Sequence, residues 1–510
     1  INWFTDFLMR NNVFLNGIVN SRQWKRDVLF ILVSFHYAIL LVACPQMIGR
    51  RCAVLVLGGF IILLLTVNIY FIQLIAESSS DKSNLRNAPV SEAKLQNEPA
   101  QSQQSNKNLP PLKPAESNAA GKIKEKIQTL PSKYFKQNSS YLTIVDRLLA
   151  ELKVMANADK SIWKIPNNNW IDGHQIIPPV APELGTILHA LRTAKILQAD
   201  SAPVGTQLKL MLSLEYGGKA LFKPQWYSRN AVIEGPVYHG KDRHNAEVVA
   251  FHLSSLLGLR RVPLTVIRQI NFTSEVRPHA TQRLRNTMYQ DGNNSCLYGV
   301  CHYCSPDDPV CGVGDILEGS LILWLPKYLK LVKHRHPWQR TYKKNKLALW
   351  QTDDNYCQKV KASKEYSVKT SSRLLDLVDA TIFDFLIGNG DRHHYELAQN
   401  NFHNPAILLI DNGKSFANPN IDHLDILAPL YQCCIIHKTT WDRLQLLSGG
   451  ALSTALEKLL DQEATAGNVL PLLTEDHLHA LDRRLLSVYA AVEYCLDTVK
   501  YSSNVILDHR

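Results

Sequence analysis

The stretch from Glu77 to about Gly121 contains no aromatic residue and consists largely of Ser, Asn, Gln, Pro and Ala. Such a segment cannot bury enough apolar surface to offset the entropy of ordering it, which excludes a folded domain there and leaves a flexible stem over residues 77–127. Just before it, Ala53–Ala76, "AVLVLGGFIILLLTVNIYFIQLIA", lacks any charged residue over 24 positions. That run is long enough to cross a hydrocarbon core of about 30 Å. No small-residue cleavage site follows, so it reads as an uncleaved signal-anchor rather than a removable leader. Arg50 and Arg51 precede it and the next basic residue beyond is Lys82, which puts residues 1–52 in the cytosol and the rest in the lumen. The shorter run Val28–Cys44 ends at Pro45; two spans would return the C-terminal bulk to the cytosol. Met47, opening "MIGRRCAVLVLGG", reads instead as a start, with residues 1–46 as upstream translated sequence.

Cysteine is scarce as well. Cys44 and Cys52 lie at the apolar segments, and the other eight, Cys296, Cys301, Cys304, Cys311, Cys357, Cys433, Cys434 and Cys495, all fall in the C-terminal half. An even number confined there fits disulfides in an oxidising compartment. "CHYC" has zinc-type spacing, but no second C-x2-C or H-x3-H partner follows at finger spacing. Sequons at Asn138, Asn271 and Asn293 are compatible with glycosylation in the lumen, although such triplets also arise by chance. No internal repeat is present, which excludes solenoids and propellers.

What is present suffices for a large core: 510 residues, of which 45% are hydrophobic and 20% charged. A net charge of +11 points to an acidic partner, such as an anionic glycan or a membrane surface; lumenal topology speaks against nucleic acid. "QLKLMLSL" (Gln207–Leu214) alternates as a strand, "YGGK" turns, and "KALFKP" returns to Lys223, predicting a hairpin. Asn245 is placed to cap the helix "AEVVAFHLSSLL", with Gly258 ending it. Strands follow in "RRVPLTVIRQI" and "GSLILWLP", and Leu374, Leu375, Val378, Ile382, Phe385 and Leu386 recur at helical spacing. A strand-rich half with one helix followed by a helix-rich half predicts an α+β, two-lobed fold, with residues 128–320 as the first lobe and 321–510 as the second.

Lys209, Lys223, Glu247, Asp391, Glu396 and Asp411 occur in an order that suits phosphoryl transfer. Lys223 would anchor phosphates, and Glu247, in the first turn of its helix, would hold that lysine or help bind a metal. Asp391, on the glycine-rich loop "IGNGDRHHYE", is placed to accept a hydroxyl proton. Asp411, ending the strand-like run "AILLI", is placed to ligate a divalent cation, and Gly413 matches the glycine of the kinase Asp-Phe-Gly motif. The match to ordinary kinases is imperfect. No G-x-G-x-x-G loop precedes Lys223, and only Gly205 in "VGTQ" could cover the phosphates. Asn412 stands where phenylalanine would be, and Glu396 takes the place of the usual metal-binding asparagine.

"GTQLKLML", "ALFKP", "RHNAEVVAFHL", "DFLIGNGDRHHYE" and "LIDNGKSFANP" resemble the secretory-pathway atypical kinases, the family that includes the Golgi casein kinase. The resemblance spans roughly residues 130–505. "CLYGVCHYC", "KHRHPWQRTY" and "LAPLYQCCII" look closest to its glycosaminoglycan xylosylkinase branch, which phosphorylates the 2-hydroxyl of the xylose joining glycosaminoglycan chains to proteoglycans; Cys301 and Cys304 keep that branch's two-residue gap. The resemblance implies an atypical two-lobed, disulfide-stapled kinase fold in the Golgi membrane, type II, using ATP with Mn2+ or Mg2+ on a galactosyl-xylose acceptor. It implies Asp391 as catalytic base and Gln207, Lys209, Lys223, Glu247, Glu396 and Asp411 as nucleotide contacts, with Glu247 and Asp411 also holding the metal. Ile322, Leu323, Trp324 and Leu325 fall where the hinge meets adenine. The disulfides it implies are Cys296–Cys311, Cys301–Cys304, Cys357–Cys433 and Cys434–Cys495.

Plainer readings stand beside these. A lone loop aspartate is usually a turn or cap residue, and His393 and His394, which invite a metal reading, would more often hydrogen-bond the backbone. The basic run Lys327–Lys346, with Tyr328, Trp338 and Tyr342, is either a solvated loop or a groove for an acidic glycan with an aromatic face for a sugar ring.

Overall fold

The computed structural model describes residues 118–508, apart from 344–345, 370, 399–401 and 403. The expected cytosolic segment, the signal-anchor Ala53–Ala76 and most of the stem lie outside the described residues, and among those described no helix is long and apolar enough to cross a membrane. Two helices come first, α1 (Asn118–Gln128) and α2 (Tyr141–Glu151), then α3 (Leu184–Thr193). Folded structure thus begins ahead of the expected boundary. Only Ala119, Ala120 and Ile123 of α1 are buried, too few apolar residues to stand out in a polar stretch.

Strands β1 (Ile196–Ser201), β2 (Leu210–Leu214) and β3 (Lys219–Pro224) follow, then helix α4 (His244–Leu256) and strand β4 (Thr265–Asn271). Alternation fixes the hairpin: Leu210, Leu212 and Leu214 are buried while Met211 and Ser213 are half-buried, so one face of β2 meets the core. A small sheet, β5 (Met288–Asp291), β6 (Asn294–Leu297) and β7 (Val310–Cys311), carries Cys296 directly opposite Cys311. The long strand β8 (Ile316–Leu323) then inserts between β3 and β4, giving an antiparallel five-stranded sheet in the order β1-β2-β3-β8-β4. Every residue of α4 is buried, because one side packs on β4 and β8 and the other on the helical lobe. Helix α4 starts one residue before Asn245, which caps nothing; its amide instead donates to the Leu472 carbonyl at 2.7 Å. Gly258, at φ +75°, lies just past its end as expected.

Strand β9 (Leu331–Arg335), helix α5 (Tyr356–Lys361), helix α6 (Arg373–Ile387) and strand β10 (His394–Ala398) lead into the second lobe, with β10 antiparallel to β9. All 15 residues of α6 are buried, and Gly388, at φ +72°, ends it in a left-handed cap that a side chain would strain. The expected strand "AILLI" is buried but forms no ladder. Its amides go to three neighbours, Ala406 to Gly173 (2.7 Å), Leu408 to Glu396 (3.1 Å) and Leu409 to Arg261 (3.0 Å), leaving a single bridge between Leu408 and Glu396. Helices α7 (Ala428–Cys433), α8 (Lys438–Leu446), α9 (Ala451–Gly467) and α10 (Glu475–Thr498) complete the lobe. Both N-terminal helices dock here: Lys126 pairs with Asp497 at 2.6 Å, α2 packs on α9, and Tyr134, just beyond α1, stacks on Tyr489 at 4.3 Å.

Four disulfides are formed, Cys296–Cys311, Cys301–Cys304, Cys357–Cys433 and Cys434–Cys495. Adjacent Cys433 and Cys434 reach opposite ways, one to α5 and one to α10, so α7 is fastened on both sides. Closing loops of 76 and 61 residues restricts the unfolded chain, an effect worth roughly 2–4 kcal/mol per bridge.

Candidate active site

Between the five-stranded sheet and the helical lobe lies a cleft of about 520 Å³, lined by Lys209, Leu221, Lys223, Glu247, Ile322, Leu323, Trp324, Leu325, Glu396 and Asp411 among others. Each arrives by its own element. The end of β8 and the following turn supply Ile322 to Leu325, an apolar wall with backbone groups at its edge. Strand β3 delivers Lys223, α4 delivers Glu247 from its first turn, and β10 delivers Glu396.

At one end of the cleft three carboxylates close on the Lys223 ammonium: Glu247 Oε1 at 2.5 Å, Asp411 Oδ1 at 2.7 Å and Asp242 Oδ2 at 3.1 Å. Burial alone would push the Lys223 ammonium down, but the three carboxylates outweigh it and hold the pKa well above its ordinary value. Lys223 and then Lys209, whose Nζ is 3.6 Å from Asp411, hold the Asp411 carboxyl far below the usual carboxylate range. Asp411 sits at φ +61°, a left-handed conformation that aspartate tolerates better than most residues. Asp242 gives no signal in the sequence; it is brought in because the Arg243 amide donates to the Gly413 carbonyl at 2.7 Å. Gly413 is needed there, since a Cβ would come within 2.7 Å of the Asp242 carboxyl carbon.

Gln207 stands outside the cleft wall. Its Oε1 accepts the Asp242 amide at 2.8 Å, so it reaches the cluster through Asp242. Glu396 does line the cleft, and burial raises its pKa.

Asp391 lies on the loop between α6 and β10, and its amide donates to Asn389 Oδ1 at 3.1 Å. Its Oδ1 accepts from the Tyr342 hydroxyl at 2.6 Å, and its carbonyl from His393 at 2.7 Å. The neighbouring Arg392, which sequence reasoning passed over, carries the loop. Its guanidinium donates to Asp384 (2.5 and 2.8 Å), to the Ile410 carbonyl (2.8 Å) and to Asn412 Oδ1 (2.8 Å). Asn412 in turn donates its amide to Glu247 at 2.9 Å, so α6, the Asp391 loop, Asp411 and α4 form one hydrogen-bonded chain.

In the basic run 327–346 the aromatic-face reading does not hold for Trp338. Its ring is only 5% exposed, and its indole N–H donates to Gln432 at 2.8 Å. Tyr328 and Tyr342 are exposed. Of the sequon residues, Asn138 and Asn293 are exposed, whereas half-buried Asn271 accepts the Ser274 amide at 2.8 Å.

The donor set of the cleft fits a hard divalent cation. Three carboxylates face two ammoniums, so the cluster carries surplus negative charge and offers only oxygen ligands. A second group of metal-type side chains, Asp376, Asp379 and His437, is already filled. Arg261 lies 3.1 Å from Asp376 and 3.6 Å from Asp379, and His437 donates to Asp379 at 2.8 Å.

Residues 161–504 match the family described as Golgi casein kinase, C-terminal, Fam20. The chain is 48% identical over 355 residues to the human glycosaminoglycan xylosylkinase, an alignment covering 69% of this chain and 85% of that one. Among solved structures, hydra Fam20 with sugar superposes with a TM-score of 0.65 and 44% identity, over 68% of this chain and 98% of that chain. The Golgi casein kinase with Mn/ADP bound gives a TM-score of 0.62 and 29% identity, over 73% and 93%.

Proposed function

The chain belongs to the Fam20 family, and from that premise we propose that it is a glycosaminoglycan xylosylkinase, moving the γ-phosphate of ATP to the 2-hydroxyl of xylose in the proteoglycan linkage region. What carries the transferase reading is Lys223 held by Glu247, Asp411 and Asp242 at the end of a cleft, with a separate aspartate beyond it. What carries the sugar reading is the extent of the match to a xylosylkinase.

On this reading Ile322 to Leu325 receive the adenine, Lys209 and Lys223 face the phosphates, and Gln207 and Glu396 complete the nucleotide contacts. Glu247 and Asp411 hold Mn2+ or Mg2+, which supplies neutralisation of charge on the phosphates. Asp391 takes the proton of the xylose 2-hydroxyl as that oxygen bonds to the γ-phosphorus and the bond to the ADP oxygen breaks. In the metal-free cleft the three carboxylates hold the proton on Lys223 against the effect of burial.

Ala53–Ala76 then anchors the chain in the Golgi membrane as a single-pass type II protein, with the catalytic lobes in the lumen and glycans on Asn138, Asn271 and Asn293. Four disulfides support an oxidising compartment. The acceptor is tested with the full chain, Mn2+ and labelled ATP, offering a galactosyl-xyloside in one tube and an acidic serine peptide in another. Label on the xyloside alone is expected. Label on the peptide alone would make the chain a protein kinase, and bound nucleotide without transfer would make it a pseudokinase.

A further inference from the structure

A kinase lysine needs a fixed carboxylate beside it to stay aimed at the phosphates, and in protein kinases a glutamate of the first-lobe helix fills that place. Here that glutamate is Glu247, which on the reading above also holds the divalent cation with Asp411. Lys223 is 2% exposed, and its ammonium gives its three protons to Glu247 Oε1 (2.5 Å), Asp411 Oδ1 (2.7 Å) and Asp242 Oδ2 (3.1 Å). Once Glu247 and Asp411 are engaged by a divalent cation, their two negative charges are matched by its two positive ones. Whichever of their oxygens Lys223 faces, that group then offers it no net charge. Of the three carboxylates, Asp242 alone keeps its full charge for the lysine.

The place of Asp242 does not depend on Lys223. Asp242 is 8% exposed and lies two residues ahead of α4. Its amide donates to Gln207 Oε1 at 2.8 Å, and the next amide, that of Arg243, donates to the Gly413 carbonyl at 2.7 Å. The Arg243 guanidinium donates to the Ser415 carbonyl at 2.9 Å. Gly413 packs so closely that a Cβ on it would lie 2.7 Å from both Cβ and Cγ of Asp242. The carboxylate is thus pinned by Gln207 on one side and by the residues after Asp411 on the other.

Resting on the reading of Glu247 and Asp411 as cation ligands, we propose that Asp242 is the positioning residue of Lys223: it supplies the carboxylate that keeps the ammonium aimed at the phosphates while the helix glutamate serves the cation. Asp242 lies behind the cleft wall rather than in it, and acts through Lys223. The task that one helix glutamate performs in protein kinases is here shared between two carboxylates, Glu247 in the first turn of α4 and Asp242 just ahead of it. Gly413 then matters to nucleotide binding through the room it leaves for Asp242.

The test is Asp242→Asn in the full chain, which keeps the shape of the side chain and removes its charge. ADP affinity is titrated with and without Mn2+, and Tm is measured on the metal-free chain. Without the cation Lys223 keeps Glu247 and Asp411, so Tm should stay within about 2 °C of wild type. With Mn2+ the lysine loses its one remaining charged partner, and ADP affinity should fall about tenfold, against about twofold or less without Mn2+. Unchanged affinity in Mn2+ would overturn the proposal. So would an equal fall with and without Mn2+, which would make Asp242 a general support of the cleft. If Asp242→Asn fails to fold, Gly413→Ala, which forces Asp242 aside, should weaken ADP in Mn2+ in the same way, and unchanged affinity would again overturn it. Wild-type affinity that ignores Mn2+ would remove the cation reading and this proposal with it. A Mn2+-dependent wild type with an unchanged variant would remove the proposal alone.

Discussion

On the sheet side of the site three carboxylates are drawn within about hydrogen-bond distance of one buried ammonium; on the helical side Asp391 stands half-exposed on a loop, touched by a phenol and an imidazole. The first arrangement must be fully paired to exist, because an uncompensated buried charge costs several kcal/mol. On the proposed reading the second has to admit and release a sugar, which suits contacts that are single hydrogen bonds and ring edges. Rigidity and exchange are thus divided between the two sides of the site. Arg392 is the joint, bonded to Asp384 in α6 and, through Asn412, to Glu247 in α4.

Lys223→Met should break the sheet side most completely. It removes the charge proposed to face the phosphates and leaves Glu247 and Asp242 buried together, so transfer should fall by about 10²–10³-fold with nucleotide binding lost, measured by labelled transfer and nucleotide titration. Retained binding would show that the carboxylates do not depend on that ammonium. Arg392→Ala should damage both sides at once, since it frees the Asp391 loop and the Asn412 tie to α4. Removing one partner of a buried pair predicts a stability loss of about 3 kcal/mol in denaturant unfolding, together with a lower kcat. A loss of stability with normal kcat would mean that the two sides are not coupled through this residue.

The smallest effect concerns pH. The Asp391 carboxylate, 3.6 Å from Nδ1, holds the His393 pKa above its ordinary value against partial burial. A raised folded pKa stabilises fully below the unfolded value of about 6.5 and is lost as pH rises through the folded one. His393→Gln should therefore lower Tm by about 1–3 °C near pH 5 and by less near pH 9, a modest figure because the pair is partly exposed. An equal drop at both pH values would count against the pairing.

The two sides also differ in how far the sequence discloses them. Lys223, Glu247 and Asp411 sit at ends of periodic apolar elements, so hairpin alternation, helix period and a buried run each point at one residue. Asp242 cannot be found that way, because its place depends on a backbone bond from Arg243 to Gly413 across the lobes. Tyr342 stands out only as an aromatic in a basic run; that its hydroxyl meets Asp391 follows from a backbone path anchored where Arg340 pairs with Asp425, which no periodicity encodes. Trp338 illustrates the converse: an aromatic among cations suggests a sugar face, yet it fills the core above Gln432. Helix α1 was hidden by its polar face, and its ion pair and contacts to α10 require the distant C-terminus to be present.

The division of labour is tested most directly by Asp391→Ala in the full chain, with nucleotide affinity and label transfer to a galactosyl-xyloside measured on the same preparation. The account predicts unchanged affinity and transfer lower by about 10²–10⁴-fold. Transfer near the wild-type rate, or affinity lost together with transfer, would contradict it.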